Sequence, residues 1–370
     1  VNKKEIEELF ALVRAGLWEK DVELQKYGTS DFAEIMRLAE EQTCVGLVTA
    51  GLEHVSDVRI PQEWMLQFIG STLQIEQKNK AMNKYIAEMV AKMRAAGIYT
   101  LLVKGQGVAQ CYERPLWRSC GDIDFFLSDD NFRKAKDMFL PLASSTEKYT
   151  QGKHLEMVID SWVVELHGWL RGGISARINR VLDDVQRDTF YGCNVRSWNN
   201  EGTLVFMLGK ENDAFYVFVH FLNHFYKGGL GLRQICDWCR LLWIFRNEFD
   251  LKKLETRIRE ADLMTEWKAF GAFVVEYLGM PLEAVPFYSD GTKWKRKAQR
   301  IMEFVIKSGN FGHSRDMSYY SKYPFFVRKY LSMGRRVTDL CSHAMIFPLD
   351  SIKFFPYVIY TGVKSALKGA

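Results

Sequence analysis

The chain has 370 residues, 48% of them hydrophobic and 26% charged, with a formal net charge of +5. That length holds two or three ordinary domains, and the balance excludes a disordered or collagen-like chain. A charge this small and evenly spread does not call for nucleic acid or an acidic membrane as partner, although a nucleotide substrate is compatible with it. The seven cysteines, at 44, 111, 120, 193, 236, 239 and 341, are odd in number and scattered. This suits reduced thiols and a cytoplasmic compartment better than a disulfide framework. No charged-then-apolar leader opens the sequence, and the longest uncharged apolar stretch, FFPYVIYTGV at 354–363, falls short of the roughly 20 residues that a spanning helix needs.

From Lys3 to about Gly97 apolar residues recur three and four apart, as in Ile6, Leu9, Phe10 and Val13, then Phe32, Ile35, Met36, Leu38 and Ala39. The spacing predicts helices, and residues 1–96 are read as an N-terminal helical module. Ser30 and Asp31 stand at a helix cap, and Pro61 suits the first turn of a long helix that runs toward Ala96 and ends at Gly97. GIYTLLVKGQG, from residue 97, then predicts a strand running into a helix that carries Val108, Ala109 and Tyr112. Pro115 ends that helix before a loop to the strand GDIDFFL. SDDNFRKAKDMFLPL reads as a capped amphipathic helix with Phe132, Ala135 and Phe139 facing inward. KHLEMVI and SWVVELHGWL have the composition and alternation of strands joined by a turn near Asp160, so residues 97–199 form an α/β core with a mixed sheet. From Glu201 helices are expected to return, first over GTLVFMLGKENDAFYVFVHFLNHFYKGG and then over GLRQICDWCRLLWIFRN, within a C-terminal helical module at 200–370. The expected fold class is α+β.

In a strand at GDIDFFL, Asp122, Asp124 and Phe126 share one face while Ile123, Phe125 and Leu127 share the other. Two carboxylates about 7 Å apart on one face fit around a pair of divalent cations roughly 3.5–4 Å from each other. Taken alone, the pair reads as the polar half of an ordinary amphipathic strand. Glu165, alone between Val164 and Leu166, supplies a candidate third carboxylate, with His167 on its side; Glu156 and Asp160 are weaker alternatives. The Lys104-Gly105-Gln106-Gly107 turn can bring backbone N–H groups and an ammonium to a phosphate. Arg118 is a candidate phosphate contact, or else a solvated loop arginine.

Strand, Lys-Gly turn, helix, arginine-bearing loop, DID and VELH follow one another as in the polymerase-beta-like nucleotidyltransferases. Over roughly residues 30–340 the chain resembles the bacterial group described as nucleotidyltransferase family proteins. LAEEQTCVGLVTAGL upstream and HFLNHFYKGGLGLRQICDWCRLLW downstream are similar to the flanking helices of that group. Lys-Gly stands where the wider superfamily more often has Gly-Ser or Gly-Gly. The resemblance implies a small mixed-sheet core between helical modules and Mg²⁺-dependent transfer of a nucleoside monophosphate from a triphosphate, such as ATP, to an acceptor. It implies Asp122, Asp124 and Glu165 as catalytic carboxylates and ligands of two Mg²⁺ ions, and Lys104, Gly105 and Arg118 as nucleotide-binding residues. The acceptor it suggests is a sugar or small metabolite. Transfer to tRNA or protein and a non-catalytic nucleotide-binding role are the alternatives. Asp124→Asn is expected to abolish transfer with little loss of fold, being isosteric.

Four further features have ordinary explanations. His220 and His224 lie one helical turn apart without the glutamate of a zinc protease, and aromatic neighbours suggest core histidines. Cys236 and Cys239 form a lone C-x-x-C within a helix, where two small buried residues account for it. Arg233 and Asp237, at i and i+4, read as an intrahelical ion pair. KYPFFVRKYLSMGRR at 322–336 is a solvated helix face or a polyanion or membrane contact.

Overall fold

The computed structural model describes residues 2–146, 153–227, 229–309, 327 and 338–367. The N-terminal helices are α1 (Lys3–Trp18), α2 (Phe32–Glu41), α3 (Val45–Glu53) and α4 (Gln62–Ala95). Asp31 caps α2 by accepting the Glu34 backbone N–H at 3.1 Å, satisfying one of the donors that a helix start leaves unpaired. Pro61 immediately precedes α4, and Gly97, at φ +69°, follows its end. That positive φ is what glycine accommodates without strain.

A seven-stranded mixed sheet follows, in spatial order β3-β4-β5-β2-β1-β7-β6. Its strands are β1 (Thr100–Val103), β2 (Ile123–Leu127), β3 (Ser145–Thr146), β4 (His154–Ile159), β5 (Trp162–His167), β6 (Val195–Asn200) and β7 (Thr203–Leu208). β2 runs parallel to β5 and antiparallel to β1, and β1 runs parallel to β7. Between strands lie α5 (Gly105–Ala109), α6 (Asp129–Phe139) and α7 (Ala176–Phe190). After β7 come α8 (Lys210–Lys227), α9 (Leu232–Ile244), α10 (Leu251–Glu260), α11 (Met264–Glu276), α12 (Thr292–Ser308) and α13 (Pro348–Leu367). The class is α+β, as expected.

The alternation in β2 decides which core each side chain joins. Ile123, Phe125 and Leu127 pack with Met82, Ile86, Met89 and Met93 of α4 and with Phe132 and Phe139 of α6. Phe126 joins the larger core with the C-terminal helices, where Phe218, Phe221, Trp238 and Trp267 are fully enclosed. The acidic face of β2 is therefore turned toward α8 and α9 rather than toward α4.

Two expected elements are corrected. α5 ends at Ala109, so Tyr112 lies beyond the helix rather than on it. TLVFML at 203–208 forms β7 and not the start of a helix, pairing with β6 on one side and β1 on the other. Glu201 and Gly202 both have positive φ, +48° and +82°, the turn geometry whose twist matches a two-residue hairpin. A six-residue apolar run has no period that separates strand from buried helix, so the turn carried the missed signal. The segment 322–336 lies outside the described residues, Val327 excepted. No helix among the described residues is long and apolar enough to cross a membrane.

Candidate active site

Strand register assembles the site. Asp124 of β2 stands opposite Glu165 of β5, and Phe126 stands opposite His167. On the other side Asp124 faces Val103, the last residue of β1, so the chain leaves β1 at Lys104 beside the acidic pair. Lys104 Nζ lies 2.7 Å from Asp124 Oδ1. Its backbone is in a region that only glycine adopts freely, φ 57° and ψ −149°, at a cost of about 1–3 kcal/mol. Gly105 follows at φ +44°, where an added Cβ would meet Cys120 Sγ at 3.2 Å. The turn thus points the ammonium at Asp124 while keeping the backbone tight against the Cys120 loop.

One oxygen from each of Asp122, Asp124 and Glu165 lies within 4.8 Å of the others, closer than strand spacing alone suggests. The charge of Asp124, and then burial, raise the Asp122 carboxyl above its usual range. Burial would also raise Glu165, but hydrogen bonds from His154 and His167 outweigh it and hold that carboxyl well below the usual range. His167 Nε2 is 2.8 Å from Asp124 Oδ1 and 3.1 Å from Glu165 Oε2, and His154 Nε2 is 3.2 Å from that same Oε2. Burial opposes a charge on His167, yet bonding to the two carboxylates raises its pKa above the ordinary imidazole value. These residues fit a divalent cation. They gather hard oxygen ligands within reach of one ion, and the repulsion seen at Asp122 is what a cation relieves.

Asp122 and Asp124 form one wall of a cleft of about 300 Å³, whose other walls come from the Arg118–Gly121 loop, α8 and α9. Arg118 is a deeply buried residue rather than a solvated one. Its Nε and Nη2 donate to Asp237 at 3.0 and 2.5 Å, while Nη1 is buried without a hydrogen-bond partner. Tyr112 Oη donates to the same carboxylate at 2.7 Å. The intrahelical Arg233–Asp237 pair expected from spacing is replaced by this contact across elements. Arg233 instead donates to Thr43 Oγ1 at 3.1 Å and to the Ser119 carbonyl at 3.0 Å. Burial, and then the charge of Arg118, lower the Arg233 pKa. Two guanidiniums, Arg118 and Arg233, therefore line the cleft beside Asp237. Asp237→Asn should lower stability by about 3–5 kcal/mol, because it leaves Arg118 buried without its counter-charge; an unchanged melting temperature would contradict that role.

His220 lines the cleft and its Nε2 sits 3.1 Å from His224 Nε2. Burial, then the charge of Lys104, push both imidazoles below the ordinary range, His224 to about 4. Cys236 and Cys239 are fully buried in α9, and among the described residues no cysteine joins a group able to hold a metal. Of the weaker acidic alternatives, Asp160 accepts from Tyr85 Oη at 3.4 Å in the β4–β5 turn, and Glu156 lies opposite Glu165 in register. His154 and Thr43 carried no signal in the sequence, since each reaches the site only through the pairing of distant segments.

The sequence profile of a family described as uncharacterised nucleotidyltransferase matches residues 28–279. None of the curated proteins is similar in sequence. A solved structure, an antigenic nucleotidyltransferase-like protein from Paracoccidioides brasiliensis, is 14% identical with a TM-score of 0.32, covering 56% of this chain and 96% of its own. The profile match takes in α2 through α11, all seven strands and the three carboxylates. On that extent the chain belongs to the uncharacterised nucleotidyltransferase family, whose general chemistry is the transfer of a nucleotidyl group.

Proposed function

We propose that the chain transfers a nucleoside monophosphate from a nucleoside triphosphate to a hydroxyl or phosphate oxygen of a sugar or other small metabolite. The acceptor oxygen bonds to the α-phosphorus as the bond from that phosphorus to the bridging oxygen of pyrophosphate breaks; pyrophosphate leaves with that oxygen, and a hydroxyl acceptor releases its proton to solvent. The observation that carries this reading is that Asp122 and Asp124, gathered with Glu165, line a cleft that also presents Lys104, Arg118 and Arg233. Asp122, Asp124 and Glu165 would hold Mg²⁺, which when bound supplies Lewis acidity toward the acceptor oxygen and neutralises triphosphate charge.

The chain's own residues divide the remaining work. Glu165, held ionised by two imidazoles, keeps a negative charge in place and is a poor proton acceptor. Lys104 offers an ammonium beside Asp124, and the unpartnered Nη1 of Arg118 and the guanidinium of Arg233 offer donors to triphosphate oxygens. Arg233→Gln should weaken triphosphate binding by about 10–100-fold, the value of one or two charge-assisted hydrogen bonds. Titration calorimetry checks this, and an unchanged dissociation constant would remove Arg233 from the site.

Incubation with labelled nucleoside triphosphates, Mg²⁺ and either sugar and sugar-phosphate mixtures or total RNA tests the acceptor class. Label on a small acceptor is the expected result. Label on RNA or on protein would replace the acceptor, and absence of any metal-dependent nucleotide binding would sink the reading.

A further inference from the structure

β4 lies beside β5, and His154 stands opposite His167 in register. His154 Nε2 lies 3.2 Å from Glu165 Oε2, and His167 Nε2 lies 3.1 Å from that same oxygen and 2.8 Å from Asp124 Oδ1. With metal–ligand bonds of about 2.0–2.1 Å, neighbouring ligands lie about 3.0 Å apart in an octahedron and about 3.3 Å apart in a tetrahedron, so the spacings to Glu165 Oε2 fall between the two. The three ligand atoms lie within 4.8 Å of one another, and the side chains keep 29%, 16% and 11% exposure for His154, Glu165 and His167. An ion can therefore reach them from solvent.

Imidazole nitrogen suits Mn²⁺, Co²⁺ and Zn²⁺, whereas Mg²⁺ prefers oxygen ligands and retained water. We infer that His154, Glu165 and His167 form a nitrogen-containing site for a first-row transition ion, with Glu165 shared between it and the three-carboxylate group. The inference needs only these three side chains. It goes beyond the transfer reading, since it gives the chain one ion position that Mg²⁺ does not satisfy.

The test uses the full metal-free chain titrated with Co²⁺ in millimolar Mg²⁺, followed by visible absorption and metal analysis. One equivalent of Co²⁺ should bind and resist displacement by Mg²⁺. His154→Ala should weaken it by at least about 10–100-fold, the range that losing even an outer partner of a metal ligand costs, while Asp122→Asn should retain it. Displacement by Mg²⁺, or equal Co²⁺ affinity in wild type and His154→Ala, would overturn the inference. Pulsed electron paramagnetic resonance of the Mn²⁺-loaded wild type needs no variant: imidazole ¹⁴N couplings are expected, and an all-oxygen environment would overturn it as well. Mg²⁺-dependent triphosphate binding without a Co²⁺ site would defeat this inference alone. A Co²⁺ site without metal-dependent triphosphate binding would defeat the transfer reading alone.

Discussion

Asp124→Asn should reduce nucleotidyl transfer by at least about a thousandfold, ~4 kcal/mol of transition-state stabilisation, and should also cost the metal-free fold about 3–5 kcal/mol. The activity loss follows from removing a charge that Asp122 and Glu165 cannot replace. The stability loss follows from burial: Asp124 is 2% exposed, and its Oδ1 lies 2.7 Å from the Lys104 ammonium and 2.8 Å from His167 Nε2. Asparagine keeps the shape but leaves Lys104, itself in a strained backbone conformation, without its closest counter-charge. An isosteric change that looks silent from sequence thus carries a folding cost. Transfer assays and thermal melts read the two effects separately, and retained activity would refute the site.

Asp122→Asn should abolish transfer to the same degree while raising the melting temperature of the metal-free protein, by about 0.5–2 kcal/mol in stability. The charge of Asp124 and then burial raise the pKa of Asp122, outweighing the opposing charges of Lys104 and Arg233. Folded Asp122 therefore holds its proton more tightly than the unfolded chain does. Wild-type stability from this group falls as pH rises from the unfolded value near 3.8 through the raised folded value. The gain in the variant should be present above that window and vanish below it. Added Mg²⁺ should reverse the order, because only the wild type gains binding energy in the folded state. A variant less stable than wild type without metal would show that Asp122 is not under repulsion.

The opposite signs expected at Asp122 and Asp124 illustrate what local pattern can and cannot convey. Alternation in IDFFL and the isolated Glu165 are features of single strands, and the structure brings these residues together as the spacing suggested. Which aspartate faces Lys104 depends on the register of β1 against β2, which no local spacing encodes. The same limit explains Asp237. Its partner Arg118 is 119 positions away, so helical spacing offered Arg233 four residues off instead. His154 required the order β4-β5-β2, a property of the whole sheet. TLVFML was misread for a different reason: a short apolar run fits either a strand or a buried helix, and only the positive-φ turn at Glu201-Gly202 decides.

The most direct test of the carboxylate site is calorimetric titration of each nucleoside triphosphate into wild type and Asp122→Asn, with and without Mg²⁺. Asp122→Asn is the better probe of the two aspartates because its fold is expected to be intact. Binding that requires Mg²⁺ in the wild type and is lost in Asp122→Asn is the predicted result. Triphosphate binding that is independent of the metal, or equal in the two proteins, would contradict the assignment of these carboxylates to nucleotidyl transfer.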